Sequence, residues 1–351
     1  MHFSRQIWQF SSDLFCHQKR HLCYAASKTV EFASKNTKKG HCYNSLFPWN
    51  NQDEFSNYLA STLVYQKGGL IALNKPFGIK SLGKSDKRTK TKPSFIVSPI
   101  PECNFTIEDS LDSLKSILNV KKLSIVKSAE RFTSGIVLLS CDDYTTNAVK
   151  KSLNIAKIQK TPALTHWMIT LGYPVVNFRE EKVALKFLEA ENEEFKQPII
   201  VTEFSKNEVK NKKVYPVHVI YRAICVNPTL QTSMVEISSS SVKWHFVRVY
   251  ASSRIAAILG DAIYSNRMNT FMGMPVKLHI EQASAFGMPP ISEDIAKALY
   301  IEKGIKGHSR IPTMLHLRSI FLPRFKNEDV TITANLPTHF QWTAEQLKLV
   351  Y

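Results

Sequence analysis

The sequence has no long hydrophobic run. Each apolar stretch is cut by Lys, Asp or His before it reaches the roughly 18 residues that a membrane-crossing helix takes, so no membrane span is expected. Its six cysteines, at 16, 23, 42, 103, 141 and 225, form no C-x-x-C pair and follow no regular spacing, which argues for reduced thiols and against a disulfide framework. Cys16, His17, His21, Cys23, His41 and Cys42 gather near the start but lack the short paired spacings of a tetrahedral zinc site, and no metal is expected. Acidic residues are also few. Twenty-nine Asp and Glu stand against 46 Lys and Arg, a formal charge of +17. Such an excess favours polyanionic partners by steering and counterion release, nucleic acid first among them. Organellar and secreted proteins are also basic without binding RNA, so charge alone leaves that alternative open.

What is present is a folded chain: 44% of its 351 residues are apolar, enough for one large core or two modest ones. The first 40 residues carry Arg5, Lys19, Arg20, Lys28, Lys35, Lys38 and Lys39 against only Asp13 and Glu31, with many Ser and Ala. Residues 1–45 therefore read as a mitochondrial presequence or disordered leader, a cationic amphipathic segment drawn toward a negative-inside potential. The alternative is a plain basic tail, which would leave the protein in the cytosol or nucleus. Residues 53–66 are predicted as a helix, with Phe55, Leu59, Leu63 and Val64 on one face. Gly68 and Gly69 then precede a short apolar strand, LIALNKP, and residues 80–98 read as a mobile basic loop.

Thr106 and Asp109, in a capping-box-like spacing, introduce a helix carrying Leu111, Leu114, Ile117 and Leu118. Strands LSIV and GIVLLS bracket KSAERFTS, and a helix over residues 143–156 follows. Strand THWMITL and the β-branched runs PIIVTEF, VYPVHVIYRAICV and TSMVEIS have short connections, which favours antiparallel pairing. A helix near 243–253, strands near 276–281, 313–322 and 329–334, and a closing helix from Thr338 complete the pattern. The class is α+β, a long mixed and mostly antiparallel sheet with peripheral helices.

Three ordered segments carry a resemblance. LIALNKPFG (70–78) fits a strand followed by N-K-P-x-G. IVKSAERFTSGIVLLS (125–140) lies over H-R-L-D-x-x-T-S-G and an apolar strand; Thr133, Ser134 and Gly135 match, while Lys127, Ser128, Ala129 and Glu130 replace the first four residues. WHFVRVYASSRIAAILGDAIY (244–264) matches H-Q-I-R-x-H and L-G-D-x-x-Y through His245, Arg248, Leu259, Gly260, Asp261 and Tyr264. LHLRSIFLP (315–323) is similar to a late L-H-x-x-x-L-x-F-P strand, and THWMITLG places His166 where K-x-Y-x-A-x-V-x-G has its tyrosine. Over residues 60–335 the chain thus resembles the RluA-type RNA pseudouridine synthases.

The resemblance implies the pseudouridine synthase catalytic-domain fold over residues 53–335, with residues 336–351 a C-terminal helix packed on it. Together with the presequence-like leader, it implies isomerisation of uridine in mitochondrial messenger or ribosomal RNA, in support of mitochondrial translation in the matrix. The N1–C1′ bond is broken and the base rejoined through C5, with no net redox change and no cofactor. Glu130 stands for the catalytic aspartate, Arg248 for its paired guanidinium, and His166 for the ring that packs on the flipped base. Lys75, Pro76, Arg131, Lys243, His245, Asp261 and Leu315 are implied to bind RNA or the base. RNA is the expected partner, with other mitochondrial RNA-processing proteins beside it. Three alternatives stay open. Glu130 can be a solvated or ion-paired residue in a cleft without chemistry, which would make the chain a silent RNA-binding factor for RNA stability or ribosome assembly. Arg248 can be a surface ion pair or phosphate contact. His166 can be a buried histidine satisfied by a backbone hydrogen bond. The Lys-rich segment 84–92 offers phosphate contacts, or is a solvated loop.

Overall fold

The computed structural model describes residues 41–83, 103–189, 196–271, 274–278 and 287–351. The leader up to residue 40 and the Lys-rich segment 84–92 lie outside the described residues. In chain order the strands are β1 Leu63–Lys67, β2 Leu70–Lys75, β3 Ser124–Ser128, β4 Ser134–Ser140, β5 Leu164–Leu171, β6 Phe178–Glu189 and β7 Lys196–Val201. They continue as β8 Val214–Asn227, β9 Thr232–Ser239, β10 Ala257–Ile258, β11 Met268–Phe271, β12 Met274–Lys277, β13 Leu315–Phe325 and β14 Glu328–Thr333. The helices are α1 Gln52–Ser61, α2 Leu111–Ile117, α3 Asp143–Ile158, α4 Lys206–Lys210, α5 Phe246–Tyr250, α6 Glu293–Ala298, α7 Gly304–Ser309 and α8 Thr338–Gln346.

Twelve of the strands form one sheet in the order β1-β2-β4-β13-β5-β9-β8-β6-β7, with β3 beside β4, β10 beside β5 and β14 beside β13. The β4–β13 pairing is parallel, whereas β2–β4, β5–β9, β8–β9, β6–β8 and β13–β5 are antiparallel. The α+β class and the mostly antiparallel mixed sheet are therefore as expected. Local chemistry explains the helix starts. Asn51 accepts a hydrogen bond from the Glu54 backbone N at 2.9 Å and Asp142 from that of Thr145 at 2.6 Å, each satisfying an orphan amide of the first turn. Thr106 accepts from the Asp109 backbone N at 3.1 Å and donates to the Asp109 carboxylate at 2.7 Å, so the turn before α2 is held as its spacing suggests.

Several expectations are corrected. The helix over 53–66 stops at Ser61, and Leu63–Lys67 is instead a strand that pairs with β2 across the two-residue Gly68–Gly69 turn. The hairpin decides the conformation there, because a Gly-Gly turn closes two strands. The expected helix near 243–253 is broken into a 3₁₀ turn at Lys243–His245, α5, and a π turn at Ala251–Ile255. The charged run FREEKVALKFLE, which carries no clean alternation, is β6, held by β8 on one side and β7 on the other. Of the strand expected near 276–281, Met274–Lys277 pairs with β11 and the rest lies largely outside the described residues. The leader boundary at 45 also moves. Cys42–Ser45 form a 3₁₀ turn, and the buried Tyr43 hydroxyl shares a 2.8 Å hydrogen bond with Thr343 of α8. Phe340 and Ala344 of α8 sit in the same apolar cluster as Tyr43, Ile169, Leu259 and Met314. Among the described residues no helix is long and apolar enough to cross a membrane.

Where β4 meets β13, backbone approaches backbone. Gly135 has φ +119°, and a Cβ built there would lie 2.3 Å from the Leu317 carbonyl oxygen. The T-S-G glycine is thus required by sheet packing. Gly135→Ala is expected to lower stability by about 3 kcal/mol, read as a drop in Tm or denaturation midpoint, and an unchanged midpoint would contradict this close approach.

Candidate active site

Trp244 and His245 have left-handed backbones, φ 54° and 59°, and this reversal launches α5, all five residues of which are buried. Arg248 is among them at 2% exposure. Its Nε donates to Asp261 Oδ2 at 2.9 Å and its Nη2 to Asp261 Oδ1, a bidentate fork around a carboxylate that is itself 1% exposed. The Asp261 carboxylate also accepts from the Ile263 and Tyr264 backbone amides at 2.9 and 3.1 Å. Burial opposes both charges. The attraction and hydrogen bonds of the pair outweigh it, holding Asp261 below the usual carboxylate range and Arg248 above the usual guanidinium range. The ring of Tyr264 lies under Arg248 at 5.2 Å and under Arg267 at 4.8 Å.

The turn that delivers Asp261 is built around Gly260. Its φ is +78°, and a Cβ there would lie 2.4 Å from the Pro312 carbonyl oxygen. The Gly260 amide donates to His308 Nε2 at 3.0 Å, so the imidazole carries its proton on Nδ1, which donates to the Pro289 carbonyl at 2.6 Å. Burial lowers the His308 pKa to about 4 and keeps it neutral. Thr313 donates to the Gly260 carbonyl at 3.0 Å.

Glu130 stands on the turn between β3 and β4. Its Oε2 accepts a 2.6 Å hydrogen bond from His245 Nδ1. Burial raises its pKa, but that hydrogen bond and the electrostatic pull of His245 and Arg248 bring it below the usual carboxylate value, so Glu130 is ionised at neutral pH. Below Glu130, Lys75 is fully buried and donates to the carbonyls of Pro76, Ile79 and Arg131 at 3.2, 3.2 and 3.4 Å. Burial lowers the Lys75 ammonium to about 7, with the Glu130 charge resisting and Arg131 adding to the fall. The Gly78 amide donates to the Arg131 carbonyl at 2.9 Å, and Arg131 Nε donates back to the Gly78 carbonyl at 3.3 Å. The N-K-P-x-G turn therefore clasps the loop that carries Glu130.

Several expected roles change. The Arg248 fork is committed to Asp261, not Glu130, and Glu130 takes its hydrogen bond from His245. Asp261 is a buried positioning residue and cannot touch RNA. Lys75 spends its ammonium on three backbone carbonyls. Leu315, 2% exposed, is core at the start of β13 and pairs with Met168 of β5. His166, on β5 between Leu317 and Ile237, is 4% exposed and has no open ring face for stacking on a base. Its pKa falls to about 4, burial being the main cause, so it is neutral, and its Nδ1 has no hydrogen-bond partner among the described residues. Pro76 and Arg131 are half-buried, and Arg131 also lies 4.9 Å over the Phe132 ring. Lys243 is exposed and His245 half-exposed, so both keep access from solvent. His308 was not expected at the site, and Lys127 was read only as a departure from the motif. Burial lowers the Lys127 ammonium, Lys243 adds like-charge repulsion, and the Glu130 charge opposes both. No spacing signal marks His308, which reaches Gly260 across 48 residues of chain. Among the described residues no cluster of His, Cys, Asp or Glu could hold a metal ion.

The arrangement is an ionised carboxylate, oriented by an imidazole, with Lys75, Lys127, Arg248 and His166 all close enough to sense its charge. Such a group can act on an electron-poor carbon of a sugar or base.

No family model matches the chain. Among curated proteins it is 26% identical over 310 residues to the mitochondrial mRNA pseudouridine synthase of Homo sapiens, covering 87% of this chain and 81% of that protein. It is 24% identical to the corresponding Bos taurus protein, over 86% and 81% of the two chains. The ribosomal large subunit pseudouridine synthase C of Rickettsia felis matches at 25% over 58% of this chain and 56% of its own. Among solved structures, human RNA pseudouridylate synthase domain containing 4 superposes with a TM-score of 0.58 at 17% identity, over 85% of this chain and 97% of that one. The fold is that of the pseudouridine synthases. The resemblance carried by the motifs holds along most of the chain, which is similar to RNA pseudouridylate synthase domain-containing protein 3, a mitochondrial mRNA pseudouridine synthase.

Breaking a buried ion pair from one side leaves an uncompensated charge, at a cost of about 3–5 kcal/mol. Asp261→Ala is expected to lower stability by that amount, and the double replacement Arg248→Met with Asp261→Leu by clearly less. Equal losses in chemical denaturation would show that the pair is not the constraint described here.

Proposed function

We propose that this chain is an RNA pseudouridine synthase that isomerises uridine in mitochondrial messenger or ribosomal RNA, in the matrix, in support of mitochondrial translation. The observation that carries the reading is the ionised Glu130 carboxylate at the foot of the T-S-G strand, 2.6 Å from His245. The relatives named above, and the formal charge of +17, support RNA as substrate. Other mitochondrial RNA-processing proteins are natural partners for an enzyme acting on such transcripts.

In this reading the uridine leaves its stack and enters the cleft. Glu130 acts at the sugar or the base, the N1–C1′ bond breaks, and the C5–C1′ bond forms; C5 gives up a proton and N1 gains one. His245 holds the longer Glu side chain at its working position. Arg248, anchored by Asp261, adds a fixed positive charge nearby without neutralising the carboxylate through a direct hydrogen bond. Lys75 positions the loop from beneath, while Lys243, Pro76 and Arg131 border the approach for the RNA. His166 serves here as a neutral wall of the pocket.

A second reading has one observation in its favour. Glu130 is already engaged by His245, and Lys127, Ser128 and Ala129 replace the family's His, Arg and Leu, so a cleft that binds RNA without chemistry has the same outline.

The test is pseudouridine formation by the purified chain on uridine-labelled mitochondrial transcripts. Glu130→Ala is expected to abolish product. Glu130→Asp retracts the carboxylate by about 1 Å from His245, and its rate is expected to fall on the order of 10²-fold. RNA binding without product in the wild type would select the silent factor. Because Glu130 sits below its ordinary value of 4.5, it is protonated only in acid. The midpoint of the acid limb of kcat/KM is therefore expected below pH 4.5, with no loss assignable to Glu130 near neutrality.

A further inference from the structure

Next to the site stands an aromatic side chain that the reading above does not use. Trp244 precedes His245, with Cα atoms about 3.8 Å apart, and His245 is the residue that holds Glu130. Both have left-handed backbones, a conformation uncommon for bulky residues and concentrated at functional sites. Trp244 is 39% exposed although its ring is seated on two other rings, Tyr215 at 4.2 Å and 48° and Phe187 at 5.4 Å and 88°. Those rings come from β8 and β6, the paired strands that back this edge of the sheet. Lys243 Nζ lies 5.9 Å from the Trp244 centroid, and its charge reaches Lys127, which in turn senses Glu130. An indole required only for core packing would be covered. This one is braced by two rings, flanked by Lys243 and left partly open, next in sequence to the residue that holds Glu130.

We propose that Trp244, braced by Tyr215 and Phe187 and flanked by Lys243, is a stacking platform for the nucleobase adjacent to the uridine that enters the cleft. The inference rests on the proposed RNA-modifying role and deepens it. Single-stranded RNA is held by aromatic faces on which bases stack and by cations that track the backbone, and this patch combines the two one residue from His245. The platform is tolerant of base identity, since every base has a π face. It fixes the path of the strand on one side of the flipped uridine, leaving selection of the uridine to the pocket.

The experiment uses the full chain and a fluorescein-labelled single-stranded RNA with one central uridine. Two companion RNAs carry an abasic nucleotide on the 5′ or 3′ side of that uridine. One companion is expected to bind the wild type roughly 5- to 100-fold more weakly than the intact RNA, the range for loss of one stacked base. Trp244→Ala is expected to weaken the intact RNA by a similar factor and to be insensitive to the same abasic position. Trp244→Phe, which preserves a ring on the brace, falls between, and it carries the test should the alanine variant not fold. Intrinsic tryptophan emission is expected to be quenched on binding in the wild type and much less in Trp244→Phe. If both abasic RNAs lose the same factor against wild type and variant, the platform is overturned while RNA binding stands. If the wild type binds none of the three RNAs, both the platform and the RNA-modifying role fall.

Discussion

A guanidinium and a carboxylate removed from water together, as Arg248 and Asp261 are, have few arrangements open to them. Each must satisfy the other, and the segments bearing them must be held in register to do so. Here that requirement ties α5 to the turn after β10. It explains the His308 bridge, the backbone amides on Asp261 and the left-handed entry into α5, because each fixes one end of the pair. The same entry points His245 back at Glu130. The position of the Glu130 carboxylate is thus an indirect product of an ion pair that does not touch it.

Around Glu130 the field is asymmetric. Lys75, Lys127, Arg248 and His245 all see one negative charge, and burial presses on nearly all of them. Lys75 is pulled toward neutrality yet remains tied to three carbonyls, which makes it a structural peg. A carboxylate in such surroundings stays ionised while partly desolvated, the condition in which it is most reactive toward carbon. The Glu130 carboxylate is held in place by the 2.6 Å hydrogen bond from His245.

The class, the sheet character and most strands were legible because alternation, apolar runs and turn residues agree over β2, β4, β5, β8 and β9. β6 was not, because its charged run owes its conformation to neighbours on both sides and to no pattern of its own. The hairpin at Gly68–Gly69 hid inside a helical spacing for a similar reason. At the site, motif matches located Glu130, His245, Arg248 and Asp261 but did not tell scaffold from contact. Lys75, Asp261 and Leu315 lie in recognisable motifs and are buried, a distinction set by the depth of each position in the tertiary structure. His308 and Trp244 could not be read at all, since what gives each its place is a contact across distant parts of the chain.

The position of β13 has a further consequence. It runs between β4 and β5, parallel to one and antiparallel to the other, so two strands close to the site are joined only by a segment some 150 residues downstream of them. Until residues 315–325 are available, the centre of the sheet is open: β5 lacks its partner along Leu164–Met168, and β4 lacks one at Ser134–Gly135, the rest of that edge being paired with β3. Such long-range closure makes folding slow and leaves apolar strand edges exposed meanwhile. A chain emerging or translocating from its N-terminus would therefore carry an unfinished cleft until almost its last strand arrives. Premature termination before β13 would give no partly active enzyme, only an edge-exposed half sheet for chaperones and proteases to clear.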